Sequence, residues 1–167
     1  MSVLIGLGSN LDAPRQQVTA ALQALAALPQ TRLRRHSALY LSAPVGPADQ
    51  PDFINAVAEL NTELTPLALL DALQGLEQAA GRVRRRHWGE RTLDLDILLW
   101  DEQTLNHPRL VIPHPEMTRR AFVLRPLLDL RPHSRLPDGT PLADYWPPVA
   151  DQPLRRLDEL AANRFAG

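Results

Sequence analysis

Apolar residues recur every three or four positions at Val18, Ala21, Leu22, Leu25 and Leu28, the spacing of a helix with one buried face. Elsewhere they alternate: Leu93, Leu95, Ile97 and Leu99 interleave with Asp94, Asp96 and Leu98, the period of a strand. Residues 3–8 read as a buried first strand, after which Asn10 or Asp12 with Pro14 supplies start signals for a helix running to about residue 28. Alternating arginine, leucine and tyrosine over 31–41 predicts a second strand, closed by a rigid loop at 42–51 that holds three prolines and one glycine. A third strand covers 53–64. Thr65 and Pro66 then cap a second helix that turns Leu67, Leu70, Leu73 and Leu76 inward, with Gly81 as its stop signal. The strand containing Asp94 and Asp96 comes next.

The order strand, helix, strand, strand, helix, strand is that of a split βαβ, ferredoxin-like core, an α+β fold with helices packed on an antiparallel sheet. Beyond that core the pattern predicts a short strand at 110–112, a helix over 120–130 interrupted by Pro126, and a terminal helix over 153–163. No internal repeat appears. The expectation is one domain, 1–167, with an additional C-terminal strand and helices.

Two carboxylates inside an apolar strand change the picture. The alternation sends the four aliphatics to one face and both aspartates to the other, with their Cα atoms roughly 6.6 Å apart. Carboxylates so spaced converge on one Mg²⁺, or bridge two ions about 3.5–4 Å apart. Immediately upstream, Gly81-Arg82-Val83-Arg84-Arg85-Arg86-His87-Trp88-Gly89-Glu90-Arg91 carries five arginines in eleven residues. Guanidinium forks grip phosphate oxygens bidentately, and a basic loop that runs into paired aspartates is the layout of a phosphate-plus-Mg²⁺ site.

Composition removes several competing chemistries. All eighteen basic residues are arginine, so the P-loop lysine, the strand lysine of protein kinases and Schiff-base catalysis are excluded. With no cysteine there are no disulfides and no thiolate zinc sites. Leu11 breaks the dinucleotide fingerprint in Gly6-Leu7-Gly8-Ser9-Asn10-Leu11, which reads instead as a tight strand-to-helix turn. A net charge of -1 makes the arginine cluster local and argues against a nucleic-acid coat. No signal-peptide pattern opens the chain and no run is long enough to span a bilayer, so a cytoplasmic location is expected.

Asn55 lies two residues after Phe53 and shares its strand face. Its amide offers a donor and an acceptor, which matches the edge of a flat amino-heterocycle, and Phe53 and Phe122 are suited to sandwich such a ring. The same spacing also describes core aromatics and a satisfied sheet-end amide. His114, fixed between Pro113 and Pro115 and followed by Arg119 and Arg120, suits a phosphate contact or an ordinary surface turn.

Taken together, four motifs resemble the 6-hydroxymethyl-7,8-dihydropterin pyrophosphokinase family of folate biosynthesis. They are Gly8-Ser9-Asn10-Leu11; Gly46-Pro47-x-Asp49-Gln50-Pro51-x-Phe53-x-Asn55-Ala56; Gly81-Arg82-Val83-Arg84; and Trp88-Gly89-x-Arg91-Thr92-Leu93-Asp94-Leu95-Asp96. The resemblance covers a catalytic core of about 1–140. It implies transfer of the β,γ-diphosphate of ATP to the hydroxymethyl group of the pterin, with AMP released. It further implies Asp94 and Asp96 as ligands of two Mg²⁺ ions, and Arg82 and Arg91 as phosphate and transition-state clamps. Arg84, Trp88, His114 and Arg120 are the implied ATP contacts, with Gln74, Glu77, Ile97 and Arg109 around the nucleotide. The pterin falls to Ser42, Val45, Phe53, Asn55 and Phe122. The implied partners are these two small molecules, with no nucleic acid and no membrane, and a monomer is expected. Arg85 stands where relatives commonly carry lysine, and Pro115 where an aromatic is common.

Two other readings compete. A two-metal nucleotidyltransferase uses paired aspartates on a similar sheet but releases pyrophosphate. An RNA-binding ferredoxin-like module calls for stacking aromatics on two adjacent strands with a basic rim, whereas this chain has few aromatics and an acidic pair where a nucleic acid would lie.

Overall fold

A computed structural model describes residues 1–10, 13–43, 52–81 and 93–157. Its elements run β1 (Ser2–Ser9), α1 (Pro14–Ala26), β2 (Thr31–His36), β3 (Tyr40–Ser42), β4 (Phe53–Thr62), α2 (Pro66–Ala79), β5 (Asp94–Trp100), β6 (Leu105–His107), β7 (Leu110–Ile112), α3 (Ala121–Leu130) and β8 (Leu154–Arg156). Short 3-10 turns at Met117–Arg119, Leu142–Tyr145 and Pro147–Val149 complete the path.

One sheet has the strand order β5-β1-β4-β3-β8, with β2 also paired to β4, and every pairing is antiparallel. This is the ferredoxin-like arrangement, and β6 and β7 form a separate hairpin. The alternation of β1 divides the interior in two. Val3, Ile5 and Leu7 join Val18, Leu22 and Leu25 of α1 and Leu69, Leu70 and Leu73 of α2 in one core. Leu4, Val57 and Leu98 pack on Leu124, Leu127 and Leu128 of α3 in the other. The sheet is therefore covered on both faces.

Several expectations are corrected. The predicted strand over 31–41 is two strands, because at Ser37 the backbone N–H bonds the Val57 carbonyl while its Oγ takes the Val57 N–H, which ends one pairing and starts another. Helix α1 is not capped by Asn10. Ala13, left-handed at φ 59°, occupies the N-cap without a side-chain bond, and Asp12 lies outside the described residues. Pro126 does not interrupt α3: the lost hydrogen bond is outweighed by packing, since Leu124, Pro126, Leu127 and Leu128 are all buried. Of the terminal helix expected over 153–163, Leu154–Arg156 instead form β8, because β3 presents an edge that they complete, and 158–163 lie outside the described residues. Thr65 does cap α2, accepting the Ala68 N–H through its hydroxyl, and Gly81 follows the helix at φ 75°.

The aspartate strand is only partly regular. Leu93, Leu95 and Ile97 enter the α1/α2 core as the alternation requires. A bulge opposite Leu4 and Ile5 then reverses the faces, so Leu98 and Leu99 turn toward α3 and Trp100 takes the place expected of Leu99.

Candidate active site

Asp94 and Asp96 project from the α3 face of β5, the strand that ends the sheet. Across from them on β1 are glycines, since Gly8 pairs with Asp94 and Gly6 with Asp96. Both glycines lie within the strand, and the turn expected of them is not what they make. They leave the face without side chains and so form the floor of a trough. Gly8 also pairs with Asn55 on β4, and a Cβ added there would stand 2.9 Å from Asn55 Nδ2, with no room to spare. A Cβ on Gly6 would meet Leu98 at 3.4 Å.

A cavity of about 650 Å³ opens over this floor, within the range of small-molecule sites. Asp94, Asp96, Phe53, Asn55, Phe122 and His114 all line it. Gln74, Glu77, Ile97, Arg109 and Arg120 line it too. Every described residue singled out in the sequence therefore reaches one site, except Ser42, which acts through a neighbour. Val45, Arg82, Arg84, Trp88 and Arg91 lie outside the described residues. Sequence reading missed Gly6, whose signal was a glycine two residues before Gly8 in an apolar strand, and gave Gly8 a different role.

On the β4 side, Ser42 donates from Oγ to Asn55 Oδ1 at 2.6 Å, and both residues are buried. That bond fixes the amide's orientation and leaves its Nδ2 hydrogens and the second Oδ1 lone pair for a ligand. On the α3 side, the Arg120 guanidinium lies 5.6 Å from the centroid of the Phe122 ring.

On the β5 side, the Leu95 N–H, between the two aspartates, donates to Glu77 Oε2 at 2.8 Å. Helix α2 thus ties down a strand that, among the described residues, otherwise pairs only with β1. Arg109, reaching from the hairpin, donates to Asp71 Oδ1 at 2.6 Å and Gln74 Oε1 at 3.2 Å, which locks the hairpin to α2.

His114 is held by its backbone N–H on the Leu98 carbonyl, while its Nδ1 accepts from the Glu116 N–H at 3.1 Å. An accepting Nδ1 carries no proton, so the neutral ring is protonated at Nε2. Burial pushes the pKa of His114 below its usual value and Arg120 adds to this, while Asp96 and Glu116 oppose it. At neutral pH the ring is a neutral Nε2–H donor. The linkage has a definite sign. As pH falls through about 6.5 the unfolded chain takes up a proton that the folded ring resists, so stability is full above that pH and declines below it. In metal-free protein, His114→Gln is expected to remove this part of the decline between about pH 7 and 5.5, read from denaturant midpoints. Identical slopes in variant and wild type would contradict the assignment.

The donor set fits a hard cation. Asp94 and Asp96 offer only oxygen, and among the described residues no group of three or more His, Asp or Glu side chains gathers to form an all-protein cage. Mg²⁺ characteristically takes one or two carboxylates and completes its shell with phosphate oxygens and water.

Comparison with known proteins adds an independent line. A family model described as 7,8-dihydro-6-hydroxymethylpterin-pyrophosphokinase matches residues 4–132. A Pseudomonas aeruginosa protein named 2-amino-4-hydroxy-6-hydroxymethyldihydropteridine pyrophosphokinase is 56% identical over 155 residues, covering 93% of this chain and 96% of that protein. A Haemophilus influenzae protein of the same name is 46% identical over 158 residues, 95% of this chain and 99% of the relative. Among solved structures, a Plasmodium falciparum HPPK-DHPS chain with pteroate superposes at a TM-score of 0.70 and 14% identity. That match covers 88% of this chain but only 42% of the Plasmodium chain, and it is a likeness of fold.

Proposed function

Since the chain belongs to the 7,8-dihydro-6-hydroxymethylpterin-pyrophosphokinase family, we propose that the cavity over Gly6 and Gly8 is its catalytic centre, with the pterin toward β4 and ATP toward β5. The enzyme transfers the β,γ-diphosphate of ATP to the hydroxymethyl group of 6-hydroxymethyl-7,8-dihydropterin in folate biosynthesis. The hydroxymethyl oxygen forms a bond to the β-phosphorus as the bond from that phosphorus to the α,β-bridging oxygen breaks, and AMP leaves. The family is ATP-using and magnesium-dependent.

One observation supports the assignment above others: carboxylates, a fixed amide and two aromatic rings line the same cavity though they come from β5, β4 and α3. Asp94 and Asp96 hold Mg²⁺, two ions in this reading. When bound, magnesium neutralises phosphate charge and acidifies the attacking hydroxyl, so that no dedicated protein base is needed. Phe53 and Phe122 sandwich the pterin while Asn55, oriented by Ser42, reads its amino-bearing edge, with Val45 assisting. The Nε2–H of His114 donates to a phosphate oxygen. Arg84, Trp88 and Arg120 also contact ATP, and Gln74, Glu77, Ile97 and Arg109 shape the nucleotide end. Arg82 and Arg91 clamp the diphosphate as its charge shifts. The protein works in this reading as a cytoplasmic monomer, one domain over 1–167 with its core at about 1–140.

Calorimetry tests the pterin side. Asn55→Ala is expected to weaken pterin binding by about 1–3 kcal/mol, because polar groups on the buried ring edge lose partners. Gly8→Ala should move in the same direction, because its Cβ displaces the Asn55 amide. Pterin affinity unchanged in both variants would remove this wall from the site.

A further inference from the structure

The family match ends at residue 132, yet the chain returns to the site twenty residues later. Helix α3 begins without a side-chain cap of its own, since Arg120 at the N-cap makes no such bond. The first N–H groups of a helix have no partner within it. Here Gln152 supplies one. Its Oε1 accepts from the Ala121 N–H at 2.9 Å while its Nε2 donates to the Arg119 carbonyl at 3.0 Å. A single amide thus grips the backbone on both sides of Arg120, and the next residue along is Phe122.

Two residues further on, the chain reaches the opposite wall. Leu154 pairs with Ser42, the residue whose hydroxyl orients Asn55, and Arg156 pairs with Tyr40. Leu157 extends the contact by donating its N–H to the Leu39 carbonyl. Leu154 also packs in the cluster that contains Phe122. The two walls are bound to each other directly as well, since the buried Tyr40 donates its hydroxyl to Asp129, two turns along α3 from Phe122. Arg125 holds the other oxygen of Asp129 at 3.1 Å.

We propose that Gln152 is a positioning residue for the pterin, and that the segment 152–157 sets the separation between the Phe122 wall and the Ser42–Asn55 wall. The proposal rests on the reading of those walls as the pterin pocket. Gln152 touches neither substrate: it fixes where the helix carrying Phe122 starts, while the strand that follows it fixes the edge of the sheet carrying Ser42. Loss of the side chain frees the first turn of α3 and lets the ring drift from the floor, with less consequence for the nucleotide end built on α2, β5 and the β6–β7 hairpin.

The test measures KM for each substrate, kcat and thermal midpoint in Gln152→Ala, Gln152→Glu and Asn55→Ala. Gln152→Ala is expected to raise pterin KM about three- to tenfold, the scale of a lost helix cap, with a smaller rise in ATP KM, transmitted through Arg120, and kcat within about twofold of wild type. Gln152→Glu keeps the acceptor for Ala121 and places negative charge at a helix start, so it should recover most of the pterin KM. Pterin KM unchanged in Gln152→Ala beside an impaired Asn55→Ala would overturn the proposal and leave the pocket standing. Equal losses for both substrates, following the fall in thermal midpoint, would reduce Gln152 to general stability and also overturn it. If Gln152→Ala does not fold, Gln152→Met, which keeps the length of the side chain but neither bond, decides in its place: a selective rise in pterin KM supports positioning, and wild-type values overturn it. No effect in Asn55→Ala would instead bring down the pocket assignment, and the proposal with it.

Discussion

Asp94→Asn and Asp96→Asn are each expected to lower kcat by on the order of 10³-fold or more, about 4 kcal/mol of transition-state stabilisation, while thermal stability changes little. Asn keeps the size of Asp and one acceptor oxygen but not the charge that holds a divalent cation beside phosphates. Burial of the strand rests on residues other than the two carboxylates. Their alternate neighbours Leu95 and Ile97 supply the burial in β5, and Asp96 is exposed. The strand is anchored through backbone groups, on β1 and on Glu77. Steady-state kinetics across a magnesium titration checks the expectation. If both variants turn over at near wild-type rates with ordinary magnesium dependence, the metal lies elsewhere.

Arg91→Ala and Arg82→Ala should each reduce kcat by roughly 10²–10³-fold, with much smaller changes in either KM. A guanidinium that meets the diphosphate only as charge redistributes between leaving and attacking oxygens lowers the barrier without tightening the ground state. Arg91→Lys should restore only part of the loss, because an ammonium returns the charge without the bidentate fork. Single-turnover kinetics separates chemistry from product release here. A loss expressed wholly in KM would make these residues binding contacts and remove the clamp.

Much of the architecture was legible because burial on one face leaves a periodic trace. The apolar spacing of α1 and α2, the Thr65 cap and the Gly81 stop all survive in the structure. What escaped depended on contacts between distant segments. The bulge in β5 is set by pairing with β1, so nothing near Leu99 announces that its face will switch. Residues 154–156 carry no strong strand pattern and become one because β3 has an edge to offer. Pro126 is a helix breaker by local rule and is overruled by the packing around it.

The site shows the same division. Asp94 and Asp96 stood out as carboxylates in an apolar strand, whereas Asn55, Phe53, Phe122 and His114 were singled out by the family resemblance, since spacing alone fitted a sheet-end amide, core aromatics and a surface turn equally well; all reach one cavity. Gly8 was read as turn chemistry because a glycine records no partner in sequence. Its purpose appears only once Asn55 is seen lying across it at a distance that excludes a Cβ. Gln152 left no signal at all, since its function depends on which helix start it meets.

The most direct measurement is phosphorus NMR of the products formed from Mg·ATP with and without 6-hydroxymethyl-7,8-dihydropterin, repeated with Asp94→Asn and Asp96→Asn. AMP and a pterin diphosphate are expected, appearing only when both substrates are present and nearly abolished in both variants. Release of pyrophosphate or of ADP, or wild-type yields from either variant, would contradict the proposed function.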